Sequence, residues 1–121
     1  MKCRDLIGAP YKLGGRGPEY DCASLAIEMQ RRQGVSMKIP PSPDEETAQL
    51  RTMRLILRSA WRELKRAERG CLVYFPNEGH VGTMLDGFRF LHTTSEVGHA
   101  HIDTLESPLW RTKRRSFYVP A

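Results

Sequence analysis

The chain has 121 residues, room for one compact domain spanning 1–121, and its 40% hydrophobic and 27% charged residues exclude a disordered or fibrous protein. Nineteen Lys and Arg against fourteen Asp and Glu give a formal charge of +5, which favours polyanionic partners without choosing among nucleic acid, anionic lipid and an acidic cell-wall polymer. The longest apolar runs, such as CLVYF at 71–75, are too short to cross a bilayer, so no membrane insertion is expected, and MKCRDLIGAPYKLGG lacks the apolar stretch of a secretory signal.

A protein of this kind is expected to be cytoplasmic when synthesised, and the three irregularly spaced cysteines, Cys3, Cys22 and Cys71, suit free thiols in a reducing compartment. Residues 2–8 predict a short opening helix ended by Gly8 and Pro10. The following YKLGGRGPEY, with Gly14, Gly15, Gly17 and Pro18, fits only a tight irregular loop. DCASLAIEMQRRQG then reads as a helix: Asp21 is the N-cap, Cys22, Leu25, Ala26 and Met29 recur at helical spacing, and Gly34 closes it.

In IPPSPDEETAQLRTMRLILRSAWRELKRAERG, Ser42, Pro43 and Glu45 match a capping box and predict a helix from about 43 to about 58. The pattern leaves open whether it continues through Trp61 to Lys65. From Gly70 onward, CLVYF, HVGTML, FRFLHTT and SFYVP predict short strands separated by turn material. Helices first and a small antiparallel sheet afterwards give an α+β fold, and with no linker between them the two halves are expected to pack together.

The cysteine at the head of the first helix carries the chemistry. Exposed backbone N–H groups there stabilise thiolate, lowering a thiol pKa by about a unit or more from about 8.5, and they can also hold the oxyanion of a tetrahedral intermediate. A base is available in HVGTMLDGFRFLH, where His80 and His92 fall on strands joined by a DG turn. A two-residue loop would send the histidines to opposite faces. A three-residue loop, Asp86 to Phe88, pairs Gly82 with His92 and leaves His80 diagonally adjacent at roughly 7 Å, able to serve as base while His92 fixes its tautomer.

The runs APYKLGG, DCASL, RGCLVYF, HVGTML and FLHTT, in that order, resemble the NlpC/P60 superfamily of papain-like cysteine peptidases over nearly the whole chain, from about Leu6 to the SFYVP end. The resemblance implies hydrolysis of peptidoglycan stem peptides, between D-glutamate and the diamino acid that follows. It makes Cys22 the nucleophile, His80 the general base and His92 the orienting third member, and it places Tyr11 and Asp21 along the substrate cleft. It implies no metal and no organic cofactor. Small domains of this family include phage tail and lysis components, so phage proteins join peptidoglycan as implied partners.

Ala23 and Ser24 stand where the family commonly has Ser-Gly, Leu13 replaces a frequent aromatic, and Cys71 replaces an aspartate, which bears on the shape of the subsites. Cys3 and Cys71 read as packing residues, and His99 and His101 as exposed loop histidines without the spacing of a metal motif. Two rivals come from other classes. One is a catalytically silent assembly or binding module on the same fold, expected if the cleft is blocked around Cys22. The other, a nucleic-acid-binding protein, finds no support in any motif, and 8% aromatic residues offer no stacking platform, so no nucleic-acid partner is expected.

Overall fold

The computed structural model describes residues 2–121. Helices α1 (Cys22–Arg31) and α2 (Glu46–Ala60) precede six strands: β1 (Trp61–Leu64), β2 (Leu72–Phe75), β3 (His80–Met84), β4 (Arg89–His92), β5 (His101–Thr104) and β6 (Ser116–Pro120). The strands form one antiparallel sheet in the order β1-β6-β2-β3-β4-β5. The α+β order expected from the sequence is the one present. Among the described residues no helix is long and apolar enough to cross a membrane.

Helix α1 begins where its cap predicts. The Asp21 carboxylate accepts from Ser24 N–H at 2.8 Å and the Ser24 hydroxyl accepts from Asp21 N–H at 2.9 Å, a reciprocal box that satisfies two of the helix's unpaired donors. At its far end Glu28 pairs with Arg31 and Arg32, and Arg32 reaches Asp5, tying the N-terminal segment to the helix. That segment makes only a single 3₁₀ turn, Arg4–Leu6, instead of the helix expected over 2–8, because so short a stretch cannot repay the cost of helix nucleation.

Helix α2 departs from its signal. Glu45, not Ser42, is the N-cap, and its side chain bonds Thr47 and Arg51 rather than closing a capping box. The proline of the expected start is committed elsewhere. Gly14, at φ +78°, lies so close to it that a Cβ there would sit 2.9 Å from Pro43 Cα, and the non-helical chain before Glu45 lies over the glycine loop. At its other end α2 stops at Ala60, and Trp61–Leu64 becomes an edge strand paired with β6, so the helix does not run on to Lys65.

The sheet is covered on both sides, which is why CLVYF reads as a continuous apolar run rather than an alternating one. Leu72 and Val81 face the helices, packing with Cys22, Ala23 and Ala26 of α1 and Leu50, Met53 and Leu57 of α2. Val73, Phe75, Met84 and Phe90 face the other way, onto Trp110 and Phe117. Truncating a side chain as enclosed as Met53 or Leu57 would cost about 2–5 kcal/mol.

Candidate active site

Cys22 is the first residue of α1 and only 1% exposed. Its thiol donates to Glu46 Oε1 at 2.7 Å, and Glu46 Oε2 accepts the Tyr11 hydroxyl at 3.0 Å, so the first residue of α2 caps both groups with one carboxylate. This corrects the expectation of an acidified thiol. Burial first, then the charge and hydrogen bond of Glu46 and the charge of Asp21, push Cys22 well above the ordinary thiol range, and the Val81 backbone N–H offsets them only in part. Burial and Glu46 likewise raise the Tyr11 hydroxyl.

Asp21 is fully buried. Besides capping α1, it accepts Gly14 N–H at 2.8 Å and the Gln49 amide at 2.6 Å on Oδ2, joining the glycine loop, α1 and α2 at one point. Placed along the cleft by resemblance, it stands here as an enclosed junction with its oxygens already engaged. Tyr11 remains half-buried beside Cys22 through Glu46.

His80 opens β3 and His92 ends β4, and His80 Nε2 lies 2.8 Å from His92 Nδ1. The register is the one that allows this. Thr83 pairs with Leu91 and Met84 with Phe90, Leu85 N–H donates to Arg89 O, and Asp86–Phe88 is the three-residue loop, with the Asp86 carboxylate holding the N–H groups of Phe88 and Arg89. Extending that pairing sets Gly82 across from His92. A Cβ on Gly82 would meet Phe90 Cδ2 at 2.9 Å and His92 Cβ at 3.3 Å, so glycine leaves the room in which the Phe90 and His92 side chains approach β3.

Phe75, Phe90 and Trp110 enclose the two rings, Trp110 stacking on His80 at 5.3 Å. Burial pushes His80 down to about 4 and His92 down to about 2, so both are neutral imidazoles at physiological pH.

The cleft at this point has a volume of about 350 Å³ and is lined by Glu46, Glu78, Gly79, His80, Thr94, Ser95, Glu96 and Trp110. Three carboxylates surround it although the chain is basic overall. A larger cavity of about 1010 Å³ lies elsewhere, between Lys2, Arg4, Arg69 and Arg89. Cys22 packs with Val81 on the helix side of β3, while His80 joins the aromatic cluster on the other. Glu46 spans the two, bonding the sulfur and lining the cleft into which His80 opens. Among the described residues no hydrogen bond joins Cys22 directly to His80.

The sequence pattern of the NlpC/P60 family matches residues 8–118. The chain belongs to this family. No curated protein sequence matches it. Among solved structures, the crystal structure of the NlpC/p60 domain of the peptidoglycan hydrolase SagA is similar with a TM-score of 0.59 and 19% identity, covering 92% of this chain and 87% of that one. The likeness is one of fold, and it shows the papain-like NlpC/P60 arrangement with Cys22 at the start of α1.

Other side chains of this NlpC/P60 chain settle differently from their sequence reading. His101 is not a loop residue: it opens β5 directly opposite His92, whereas His99 is exposed beside Pro10. Cys71 is buried among Val73, Phe75 and Phe117. Glu46, Asp103 and Trp110 were absent from the sequence reading of the site. Only Asp103 had a local signal, the His-x-Asp alternation that sets His101 and Asp103 on one face of a strand.

Proposed function

We propose that residues 1–121 form one cysteine peptidase domain that hydrolyses peptidoglycan stem peptides at the bond between D-glutamate and the following diamino acid. Cys22 is the nucleophile, His80 the base, His92 the group that holds the His80 tautomer, and Tyr11 a wall of the cleft. The reading rests on one observation above others: a 2.8 Å His80–His92 bond in an NlpC/P60 fold whose helix α1 opens with a cysteine. The acidic cleft supports a substrate portion bearing an ammonium group, as a diamino acid does.

In this mechanism His80 Nε2–H donates to His92 Nδ1, which leaves His80 Nδ1 free to take a proton. Substrate displaces Glu46 from the sulfur, the thiol proton passes to His80, and the sulfur bonds the carbonyl carbon. N–H groups at the start of α1 hold the oxyanion. Collapse expels the amine, which takes the proton from His80, and water assisted by the same histidine cleaves the thioester to release acid and thiol. Access to the wall through a phage tail or lysis system belongs to the same reading, and tail or lysis genes beside this one would support it.

One observation favours a second reading, a silent assembly module: Glu46 covers a sulfur that is already buried. Digestion of purified peptidoglycan with wild type and Cys22→Ala, followed by mass spectrometry, separates the two. The peptidase releases stem-peptide fragments that the variant does not, by a factor of at least about 10³. Identical traces would put the assembly module in its place.

A further inference from the structure

We propose that His92, His101 and Asp103 form a binding site for a divalent transition metal, zinc foremost, on the strand side of the sheet. The pairing of β4 with β5 places them together: His92 lies opposite His101 and Phe90 opposite Asp103, and His101 and Asp103, two apart, share one face of β5. One donor atom from each lies within 4.8 Å of the others.

The decisive atom is His92 Nε2. The side chain is 1% exposed and this nitrogen has no hydrogen-bond partner, a costly state for a buried polar atom. Its nearest acidic neighbour, Asp103 Oδ2, is 3.7 Å away, too far for a hydrogen bond. Two bonds of about 2.1 Å meeting at a tetrahedral angle hold their donor atoms about 3.4 Å apart, so the gap is close to what one zinc ion would span.

Each ligand is also fixed from behind, as metal ligands are. His92 Nδ1 is held by His80 Nε2 at 2.8 Å. His101 Nδ1 lies 3.1 Å from the His99 carbonyl, to which it donates, leaving His101 Nε2 with its lone pair. Asp103 accepts Thr104 N–H on Oδ1 and the Trp110 indole N–H on Oδ2, each at 2.8 Å. Two imidazoles and a carboxylate are a borderline donor set that suits zinc over magnesium or calcium, and the partial exposure of His101 and Asp103 leaves a fourth position for water or an outside ligand.

Occupancy has a consequence that rests on the peptidase reading. A metal on Nε2 requires the ring proton of His92 to sit on Nδ1, where it donates to His80 Nε2. His80 then keeps its own proton on Nδ1, the atom needed to receive the proton of Cys22. Zinc bound here therefore switches the base off without touching the sulfur, and its removal restores it.

The test uses the full chain carrying Cys22→Ala, so that the catalytic thiol cannot compete, titrated with Zn²⁺ in equilibrium dialysis and with Co²⁺ in absorption spectroscopy. One zinc per chain is expected, with Co²⁺ d–d bands and no thiolate charge-transfer band. Adding His101→Ala or, more conservatively, Asp103→Asn weakens binding by about 100-fold and leaves the circular dichroism unchanged. Absence of stoichiometric zinc, equal binding by both variants, or a thiolate band overturns the site.

In the Cys22 protein, zinc should suppress peptidoglycan hydrolysis reversibly, while His101→Ala hydrolyses at the wild-type rate and resists zinc. Full activity with one zinc bound overturns the switch. A protein that binds zinc as described yet cleaves nothing with or without chelator overturns the peptidase reading and leaves the metal site standing.

Discussion

On the helix side of the site, Asp21 and Glu46 leave no carboxylate oxygen idle: Ser24 N–H, Gly14 N–H and the Gln49 amide, from three segments, donate to the Asp21 carboxylate, and Glu46 accepts hydrogen bonds from the Cys22 thiol and the Tyr11 hydroxyl.

 On the strand side, His80 and His92 share a single bond and His92 Nε2 has no partner. Burial acts on both sides with opposite sign. It keeps the sulfur protonated beside carboxylates and keeps the imidazoles unprotonated among aromatic rings, so the resting site holds a neutral thiol and neutral bases rather than an ion pair. The helix side is built to hold the fold, and the strand side keeps an atom in reserve.

The largest expected break in this comparison is loss of the base. His80→Ala should lower hydrolysis by about 10²–10⁴-fold while the fold persists, because proton transfer is the term it supplies. A change under tenfold, read from product release, would move the role of base to another group.

Acid tests the strand side next. A histidine with a pKa of about 4 in the folded chain and about 6.5 when unfolded binds its proton more readily unfolded, so its contribution is complete above pH 6.5 and is lost as pH falls towards 4. For His80 alone the loss between pH 7 and 4 is about 3 kcal/mol, and His92 adds to the same limb. Urea unfolding with chelator present should show it, and replacing His92 by Asn should flatten the slope. A flat wild-type profile over that range would mean that water reaches both rings.

How much of this was legible follows from how local each signal is. The Asp21 cap depends on neighbours in sequence and is present as read, while strand period left two registers open at the DG turn, and the structure takes the three-residue loop Asp86–Phe88 that sets Gly82 across from His92. Ser42 and Pro43 form a sound local cap signal for the start of α2, but Pro43 is drawn against Gly14, 29 positions away, and the helix starts later. WREL reads equally well as helix or edge strand until β6 is there to pair with it. The sulfur's ionisation follows the same rule: the helix start is visible in sequence, but the burial and the Glu46 side chain that override it come from the packing of another helix.

Asp21→Ala gauges the helix side. It removes a cap worth about 1 kcal/mol and strands the Gly14 N–H and the Gln49 amide, so a loss of about 3 kcal/mol in urea unfolding is expected. Asp21→Ser restores the cap without the second oxygen and should recover about 1 kcal/mol of it. Equal stability in wild type and Asp21→Ala would mean that the loop and α2 hold their places without this junction.

The smallest effect is the most informative about the sulfur. Glu46→Gln keeps the size and an acceptor for Tyr11 but removes the charge that helps hold Cys22 protonated, so iodoacetamide should label Cys22 about tenfold faster at pH 8, one pKa unit being a tenfold change in thiolate. Glu46→Ala removes the cover as well and should label faster again. Unchanged labelling in both would assign the protection to burial beneath the helices alone. The two variants also divide the roles of the carboxylate: if hydrolysis survives as labelling quickens, Glu46 is a cap that substrate displaces, whereas a collapse of hydrolysis beside faster labelling would make it the group that receives the thiol proton.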